Sequence, residues 1–243
     1  MRLSGSAMRI AAAALSGLAC PLAFAPFGLF WLAPITLAVL YGCWWGASAR
    51  QAALQGFAFG LAMALTGVSW IYVSLNQFGN MPAPLAVAAV MVFAALMALY
   101  PTLVGGLQAR IGPKSPALRA MLVMPSLWVL GEWLRGNLLS GFPWLYLGYP
   151  HVDSTFSGLA PIFGVLGISL VVAISGSAFG EMTLIWNRHS ERKAYAVAHS
   201  YLPSALFFLW IIAGLSGKIT WVEPVEDAVL DVGLVQANID QGQ

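Results

Sequence analysis

The residues best suited to chemistry are a carboxylate and a guanidinium three positions apart, Glu132 and Arg135, in an otherwise apolar stretch. Side chains at positions i and i+3 of a helix lie on one face, so this spacing allows the two to pair. One interpretation is a polar clamp for a phosphate or carbonyl group. The other is an ion pair at a helix end that only sets the depth of the helix. The spacing leaves both interpretations open.

A second candidate is the apolar run at 141–149, which is interrupted by Gly141, Pro143 and Gly148. The run is too short to span a membrane, and non-helical backbone at membrane depth needs protein or a water-lined cavity around it. We therefore expect an interfacial or re-entrant segment. A plain aromatic belt is the alternative, because Trp and Tyr favour membrane interfaces and the run contains three of them: Trp144, Tyr146 and Tyr149.

The cysteines and histidines predict no metal site and no disulfide framework. Cys20 and Cys43 belong to no CxxC motif and have no histidine nearby, so we expect two small buried apolar side chains. The three histidines lie in loops or at a helix start without ligand spacing, and we expect them to be solvated: His151, His189 and His199.

The composition identifies the environment that these residues need. The chain has 243 residues, of which 60% are hydrophobic and only 8% are charged, and its mean hydropathy is +0.81. A soluble domain carries about 25% charged residues, and a disordered chain carries far less apolar surface, so both classes are excluded. The net charge of +2 favours no nucleic-acid partner. The composition predicts a multi-pass membrane protein.

Charged residues divide the chain into seven predicted membrane-spanning helices. Two lie between Arg9 and Arg50, separated at Pro26, and two lie between Arg50 and Arg110, separated by the polar run at 76–82. Trp70 and Tyr72 end the third helix as interface anchors. The remaining three helices are predicted at about 118–134, 159–185 and 195–215.

The basic residues predict that the N-terminus is cytoplasmic. With that orientation the outer segments contain only Arg135 and Lys218, and seven spans place the C-terminus outside. The sequence Ala23-Phe24-Ala25 resembles a signal-peptidase site, but Pro26 follows it directly, so we expect the first helix to be retained. The inner segments hold the other nine basic residues: Arg2, Arg9, Arg50, Arg110, Lys114, Arg119, Arg188, Arg192 and Lys193.

Few ionisable groups fall within the predicted spans. Glu181 lies near the inner end of the sixth helix, where its side chain is expected to reach the lipid headgroups. No span contains the series of carboxylates or arginines typical of a pump or voltage sensor. A small transporter is therefore disfavoured, although it stays open as an alternative.

The C-terminal tail differs in composition from the rest of the chain. Residues 218–243 contain five of the nine acidic residues, and the run at 229–235 predicts a β-strand. A single strand cannot bury either face, so we expect the first strand of a further domain. This divides the chain into a helical membrane domain at 1–217, with an outer segment at 136–158, and the start of a second domain at 218–243.

Four motifs resemble those of the bacterial apolipoprotein N-acyltransferases, in the same order along the chain. The first lies between helices one and two, the second ends helix three, the third spans 132–149, and the fourth lies in the tail. They read Leu22-Ala23-Phe24-Ala25-Pro26-Phe27-Gly28; Trp70-Ile71-Tyr72-Val73-Ser74-Leu75 with Phe78-Gly79; Glu132-Trp133-Leu134-Arg135-Gly136 with Gly141-Phe142-Pro143-Trp144-Leu145 and Leu147-Gly148-Tyr149; and Val232-Gly233-Leu234-Val235-Gln236-Ala237-Asn238-Ile239.

The resemblance implies a multi-pass enzyme of the bacterial inner membrane with a periplasmic nitrilase-like α/β domain. Members of the family take an acyl chain from a phospholipid, form a thioester on a cysteine, and acylate the N-terminal diacylglyceryl-cysteine of a lipoprotein. A Glu base and a Lys at the oxyanion serve that cysteine. The implied partners are a phospholipid donor, a diacylated lipoprotein and membrane lipids, and no cofactor or metal is implied.

The resemblance also implies that the catalytic residues lie outside this chain. The family's Glu-Lys-Cys triad follows the strand at which the sequence ends, after Gln243, and neither Cys20 nor Cys43 lies in a matching motif. We therefore expect the membrane part of the enzyme, truncated, to be inactive alone. A noncatalytic membrane anchor or scaffold is the other interpretation. The residues that the resemblance assigns to substrate binding are Glu132, Arg135, Phe142, Pro143, Trp144 and Tyr149.

Overall fold

The computed structural model describes residues 5–112, 115–186, 202–223 and 231–237, and all regular secondary structure within them is helical. Eight α-helices are labelled in chain order, and a further short α-helical turn, Pro116–Leu118, precedes the sixth. The eight are α1 Ser6–Ala19, α2 Leu32–Trp44, α3 Ala49–Gly67, α4 Trp70–Val73, α5 Ala83–Ile111, α6 Met124–Asn137, α7 Ala160–Trp186 and α8 Leu202–Ser216. Shorter turns extend several of them: a 3₁₀ turn at Cys20–Ala23, and π-helical turns at Ser74–Phe78 and Arg119–Val123.

Local sequence explains where several helices begin and end. Ser48 caps α3, because its hydroxyl accepts from the Gln51 backbone N–H while the Gln51 side chain accepts from the Ser48 N–H. Gly46 precedes this cap at φ +64°, a left-handed conformation that ends α2 and that glycine adopts without steric cost. The cap therefore separates α2 from α3 within a short connection.

Helices α3 and α5 approach each other closely through glycines. A Cβ on Gly56 would lie 2.2 Å from the Pro101 carbonyl oxygen, and one on Gly105 would lie 2.5 Å from the Ala52 carbonyl oxygen. Apolar side chains gain little by leaving lipid, so membrane helices associate mainly through van der Waals packing, and small residues at the interface permit it. The glycines thus set the spacing of the two helices beside the candidate site.

In the described part of the chain, three helices are long and apolar enough to cross a membrane: Ser6–Ala23, Ala83–Ile111 and Thr155–Thr183. A fourth span is possible if α3 and the following Trp70–Phe78 helix, bent by 50°, cross together. Helices α2 and α8 are apolar but shorter, and α6 has 14 residues. Helices occur at the predicted positions within the described residues. However, only three or four of them are long enough to span a membrane, so the number of seven spans stays a prediction.

Two sequence expectations about the rest of the chain differ from the structure. Glu181 does not extend to the headgroups: its side chain is buried between α2 and α7, where it accepts a hydrogen bond of 3.3 Å from the Tyr41 hydroxyl. The described tail residues 231–237 form no β-strand, and residues 224–230 and 238–243 lie outside the described part. His189 and His199 also lie outside it.

Candidate functional site

The carboxylate of Glu132 lies inside the helix bundle. Helix α6 packs against α5 and α7, and this leaves Glu132 only 4% exposed. Its Oε1 accepts hydrogen bonds from Trp128 Nε1, one helical turn earlier, at 3.1 Å and from the backbone N–H of Leu147 at 2.9 Å. The carboxylate therefore binds the backbone of the segment that follows its own helix.

Arg135 contacts the same segment from the next turn of α6, and it is 5% exposed. Its Nη2 donates to the Leu145 carbonyl at 3.2 Å, its guanidinium carbon lies 5.3 Å from the centre of the Tyr146 ring, and its carbonyl accepts from the Phe142 N–H at 2.8 Å. No salt bridge joins Arg135 to Glu132 among the described residues. The direct ion pair that the spacing allowed is therefore not formed, and each side chain binds backbone of the segment instead.

Residues 142–149, which we call the aromatic segment, are non-helical up to a 3₁₀ turn that begins at Tyr149. Gly141, at φ +78°, directly precedes the segment, and a Cβ on Gly148 would lie 2.2 Å from the Val165 carbonyl oxygen of α7. The Gly148 N–H donates to the Ser169 hydroxyl at 2.9 Å. These contacts bury the middle of the segment, Leu145 to Leu147.

The ends of the aromatic segment are exposed, in contrast to its middle. Trp144 is 47% exposed, and its ring lies 5.4 Å from that of Trp70. Phe142 packs between Trp144, at 6.1 Å, and Phe93 of α5, at 4.9 Å. Tyr149 is also exposed and stacks on Tyr146 at 5.6 Å. Trp70, Phe93, Phe142 and Trp144 thus form a continuous patch, here called the aromatic patch.

Pro143 is exposed and lies beside Gly136, near the end of α6. A Cβ on Gly136 would lie 3.7 Å from the Pro143 Cβ and would clash with the Tyr146 hydroxyl oxygen. The close approach explains why the segment can fold back on the end of α6. The structure therefore brings all six predicted site residues together, with Trp144 and Tyr149 exposed and Glu132 and Arg135 buried.

A small cavity between α5 and α6 borders the two charged side chains. It holds about 220 Å³ of space, counting its open side, and its wall includes Tyr100, Val104 and Gly131 besides Glu132 and Arg135. Glu132 Oε2 and Arg135 Nε are buried and accept or donate no hydrogen bond within the described structure.

His151 was expected to be solvated, and this expectation is wrong. The imidazole is 4% exposed and lies between the rings of Phe30, at 5.4 Å, and Phe156, at 5.2 Å. Its Nδ1 is 3.2 Å from the Ser154 hydroxyl. Burial lowers the pKa of His151 to about 4. The local sequence signals were Ser154 and Phe156, three and five residues later, whereas the other aromatic partner, Phe30, is distant in sequence.

The chain after α8 lies against the turn that follows the aromatic segment. Trp221 Nε1 donates to the Gly158 carbonyl at 3.0 Å, and a Cβ on Gly217 would lie 2.6 Å from the Thr155 carbonyl oxygen. The start of the tail is therefore next to residues 155–158. Sequence reasoning missed this contact, since neither Trp221 nor Gly158 lies in a recognisable motif.

Neither a metal site nor a reactive thiol appears in the described residues. No group of three or more His, Cys, Asp or Glu side chains there could hold a metal ion. Cys20 and Cys43 are both free and fully buried, which confirms the expectation from the sequence. The chemistry that the described part can supply is apolar contact at the aromatic patch and hydrogen bonding beneath it.

These features define a class: a helical membrane protein in which an aromatic segment folds back over the end of α6, the helix that carries Glu132 and Arg135. The model for the apolipoprotein N-acyltransferase N-terminal domain matches residues 16–178, and the chain belongs to this family. It is 38% identical, over 93% of its length, to the apolipoprotein N-acyltransferase of Methylococcus capsulatus, and 37% identical, over 94%, to that of Coxiella burnetii.

The chain spans less than half of the relatives that it matches. It covers 43% of the Methylococcus capsulatus protein and 46% of the Coxiella burnetii protein. The apolipoprotein N-acyltransferase of Nitrosomonas europaea is 39% identical over 96% of this chain, which again covers 45% of that relative. The matched region is the N-terminal domain of the family.

Proposed function

We propose that this chain is the membrane part of an apolipoprotein N-acyltransferase. The enzyme would take an acyl chain from a phospholipid through a thioester and transfer it to the N-terminal diacylglyceryl-cysteine of a lipoprotein. The observation that carries the proposal is membership of the family over residues 16–178. The proposed nucleophile is the cysteine that the family resemblance implies in a nitrilase-like domain, and the burial of both Cys20 and Cys43 supports this assignment.

We propose an inner-membrane location with seven spans, a cytoplasmic N-terminus and a periplasmic tail. Nine of the eleven basic residues fall in the segments that this topology places inside, which supports the orientation. Residues 218–243 would begin the nitrilase-like domain. The contact of Trp221 with Gly158 supports a tail that leaves the membrane part beside the aromatic segment.

The proposed substrate site comprises Glu132, Arg135, Phe142, Pro143, Trp144 and Tyr149. The aromatic patch presents ring faces and edges at which acyl chains of the phospholipid and the lipoprotein can pack, because aromatic side chains combine a large apolar surface with a defined geometry. Pro143, Trp144 and Tyr149 are the exposed members of the site, and Trp144 and Tyr149 supply exposed aromatic rings for this contact. The side chains of Glu132 and Arg135 lie beneath these two residues, and their charged groups are buried.

The test uses the complete acyltransferase that contains this chain, reconstituted with a phospholipid donor and a diacylglyceryl peptide. We expect Trp144→Ala to raise the KM for the phospholipid roughly tenfold, the cost of losing one well-packed aromatic contact. Trp133→Ala is the matched control, since Trp133 of α6 is 49% exposed but makes none of the ring contacts of the patch. An unchanged KM for Trp144→Ala would refute the assigned site.

A further inference from the structure

We infer that Glu132 and Arg135 are positioning residues, which hold the aromatic segment against the helix bundle and do not bind the substrate's charged groups. The inference rests on the proposed function, because it assigns roles within the proposed site. It replaces the interpretation of Glu132 and Arg135 as a polar clamp for a phosphate or carbonyl group. A clamp needs charges that a headgroup can reach, and these two side chains are 4% and 5% exposed.

The hydrogen bonds of both residues are directed at the backbone of the segment. Glu132 Oε1 accepts from the Leu147 N–H at 2.9 Å, and Arg135 Nη2 donates to the Leu145 carbonyl at 3.2 Å. Backbone groups in a non-helical stretch have no helical partner, and at membrane depth each one left unpaired is costly. The two side chains therefore supply the partners that let this stretch be buried.

The conformation of the segment shows why it needs such support. Leu145 adopts φ +59°, a left-handed conformation that is unfavourable for a residue with a branched side chain. Strained residues persist only when the surrounding contacts determine them. The flanking bonds to Leu147 and Leu145, and the stacking of Arg135 on the Tyr146 ring at 5.3 Å, supply those contacts.

Ser169 of α7 binds the same segment without a charge. Its hydroxyl accepts from the Gly148 N–H at 2.9 Å, one residue beyond Leu147. If the segment is held by hydrogen bonds to its backbone, loss of this hydroxyl must loosen it in the same direction as loss of Glu132.

The experiment measures how often the segment leaves the bundle, in the purified chain in lipid nanodiscs. Leu147 is fully buried, so Leu147→Cys reacts with a maleimide only when the segment opens. The native Cys20 and Cys43 are also fully buried and report general unfolding in the same molecule. Tyr149→Cys, at an exposed position, gives the rate for an open thiol.

In the Leu147→Cys chain, we expect Glu132→Met to raise the labelling rate on the order of tenfold or more, the effect of losing a charge-assisted buried hydrogen bond. Ser169→Ala should raise it by a few-fold, and Cys20 and Cys43 should stay unlabelled in both. Ser16→Ala is the matched control, since its buried hydroxyl bonds to Ala13 in its own helix. It should leave the rate unchanged.

Two results would overturn the inference. One is a labelling rate at Leu147→Cys that Glu132→Met does not change, and the other is labelling of Cys20 and Cys43 at the same accelerated rate. If Glu132→Met does not give a folded protein, Glu132→Gln decides: the neutral amide still accepts, but more weakly, so a few-fold rise supports the inference and no rise overturns it.

A second readout in the complete enzyme separates this inference from the proposed function. If Glu132 acts only through the segment, the KM increases caused by Glu132→Met and Trp144→Ala do not multiply in the double variant. Independent, multiplying effects would overturn the positioning role while leaving the acyltransferase function standing. The labelling experiment needs no turnover, so it keeps its meaning even if Trp144→Ala leaves the enzyme unaffected.

Discussion

The contact between α3 and α5 makes a sharp prediction about Gly56. The Cβ of an alanine here would lie 2.2 Å from the Pro101 carbonyl oxygen, 2.7 Å from its carbonyl carbon and 3.1 Å from the Thr102 nitrogen. Ordinary contact starts near 3.4 Å, so the closest approach is about 1.2 Å too short. All three atoms are backbone, and no side chain can rotate away. Gly56→Ala therefore forces the two helices apart.

The cost of that separation follows from packing. Overpacking a close interface costs about 1–3 kcal/mol, and a gap of an ångström between the helices forfeits part of their dispersion energy, so we expect a loss of about 2–4 kcal/mol. For a chain of this size that corresponds to a fall in the apparent Tm of about 5–15 °C.

Thermal unfolding in detergent with a thiol-reactive fluorogenic dye measures the effect, because Cys20 and Cys43 are buried and react only on unfolding. Gly106→Ala is the matched control: it lies on α5, the other helix of the same contact, and its Cβ would meet the Ala53 Cβ of α3 at an ordinary 3.7 Å. We expect the control to keep or slightly raise the Tm, since alanine favours helix over glycine. A Gly56→Ala Tm within about 2 °C of the parent value would refute the close approach.

Two further predictions concern the outer segment. Gly148→Ala places a Cβ 2.2 Å from the Val165 carbonyl oxygen, so it should displace the aromatic segment and raise maleimide labelling of Leu147→Cys several-fold, measured against Gly42→Ala, which meets no atom within 4 Å. Burial lowers the pKa of His151 to about 4, whereas the unfolded imidazole has a pKa of about 6.5. At pH values between these two, His151 takes up a proton when the protein unfolds. Stability should therefore fall by about 1–2 kcal/mol as the pH drops from about 7 to about 5. Measurements of the Tm at the two pH values test this prediction, and the His151→Phe variant should lose the pH dependence. If the Tm of the parent protein is the same at both pH values, the prediction is wrong.

Several parts of the fold follow from composition and local motifs. The low charge and high hydropathy predict helices in a membrane, and the Pro26 break and the second part of the Asn76–Pro82 break, residues 79–82, fall between helices in the structure as well. The family was also recognisable from the motifs, and the match over residues 16–178 confirms it. These features are local: they depend on which residues follow each other and not on which helices touch.

The partners of the polar side chains were not predictable in the same way. The spacing of Glu132 and Arg135 allowed them to pair, yet each binds backbone ten or more residues further along the chain. Glu181 was expected at the headgroups and lies against Tyr41, 140 residues away in sequence. His151 was expected in water and lies between two rings.

The physical reason for this division is the range of the interactions. Transfer of apolar residues into lipid and helix propensity act residue by residue, so the order of amino acids already specifies a helical membrane protein and the positions of its helices. A buried polar atom must find a partner wherever the packed helices bring one, and the fold-back of the segment at Gly136 and Gly148 decides which partner that is. Only the packed structure therefore shows that Glu132 and Arg135 face inward, beneath an exposed Trp144.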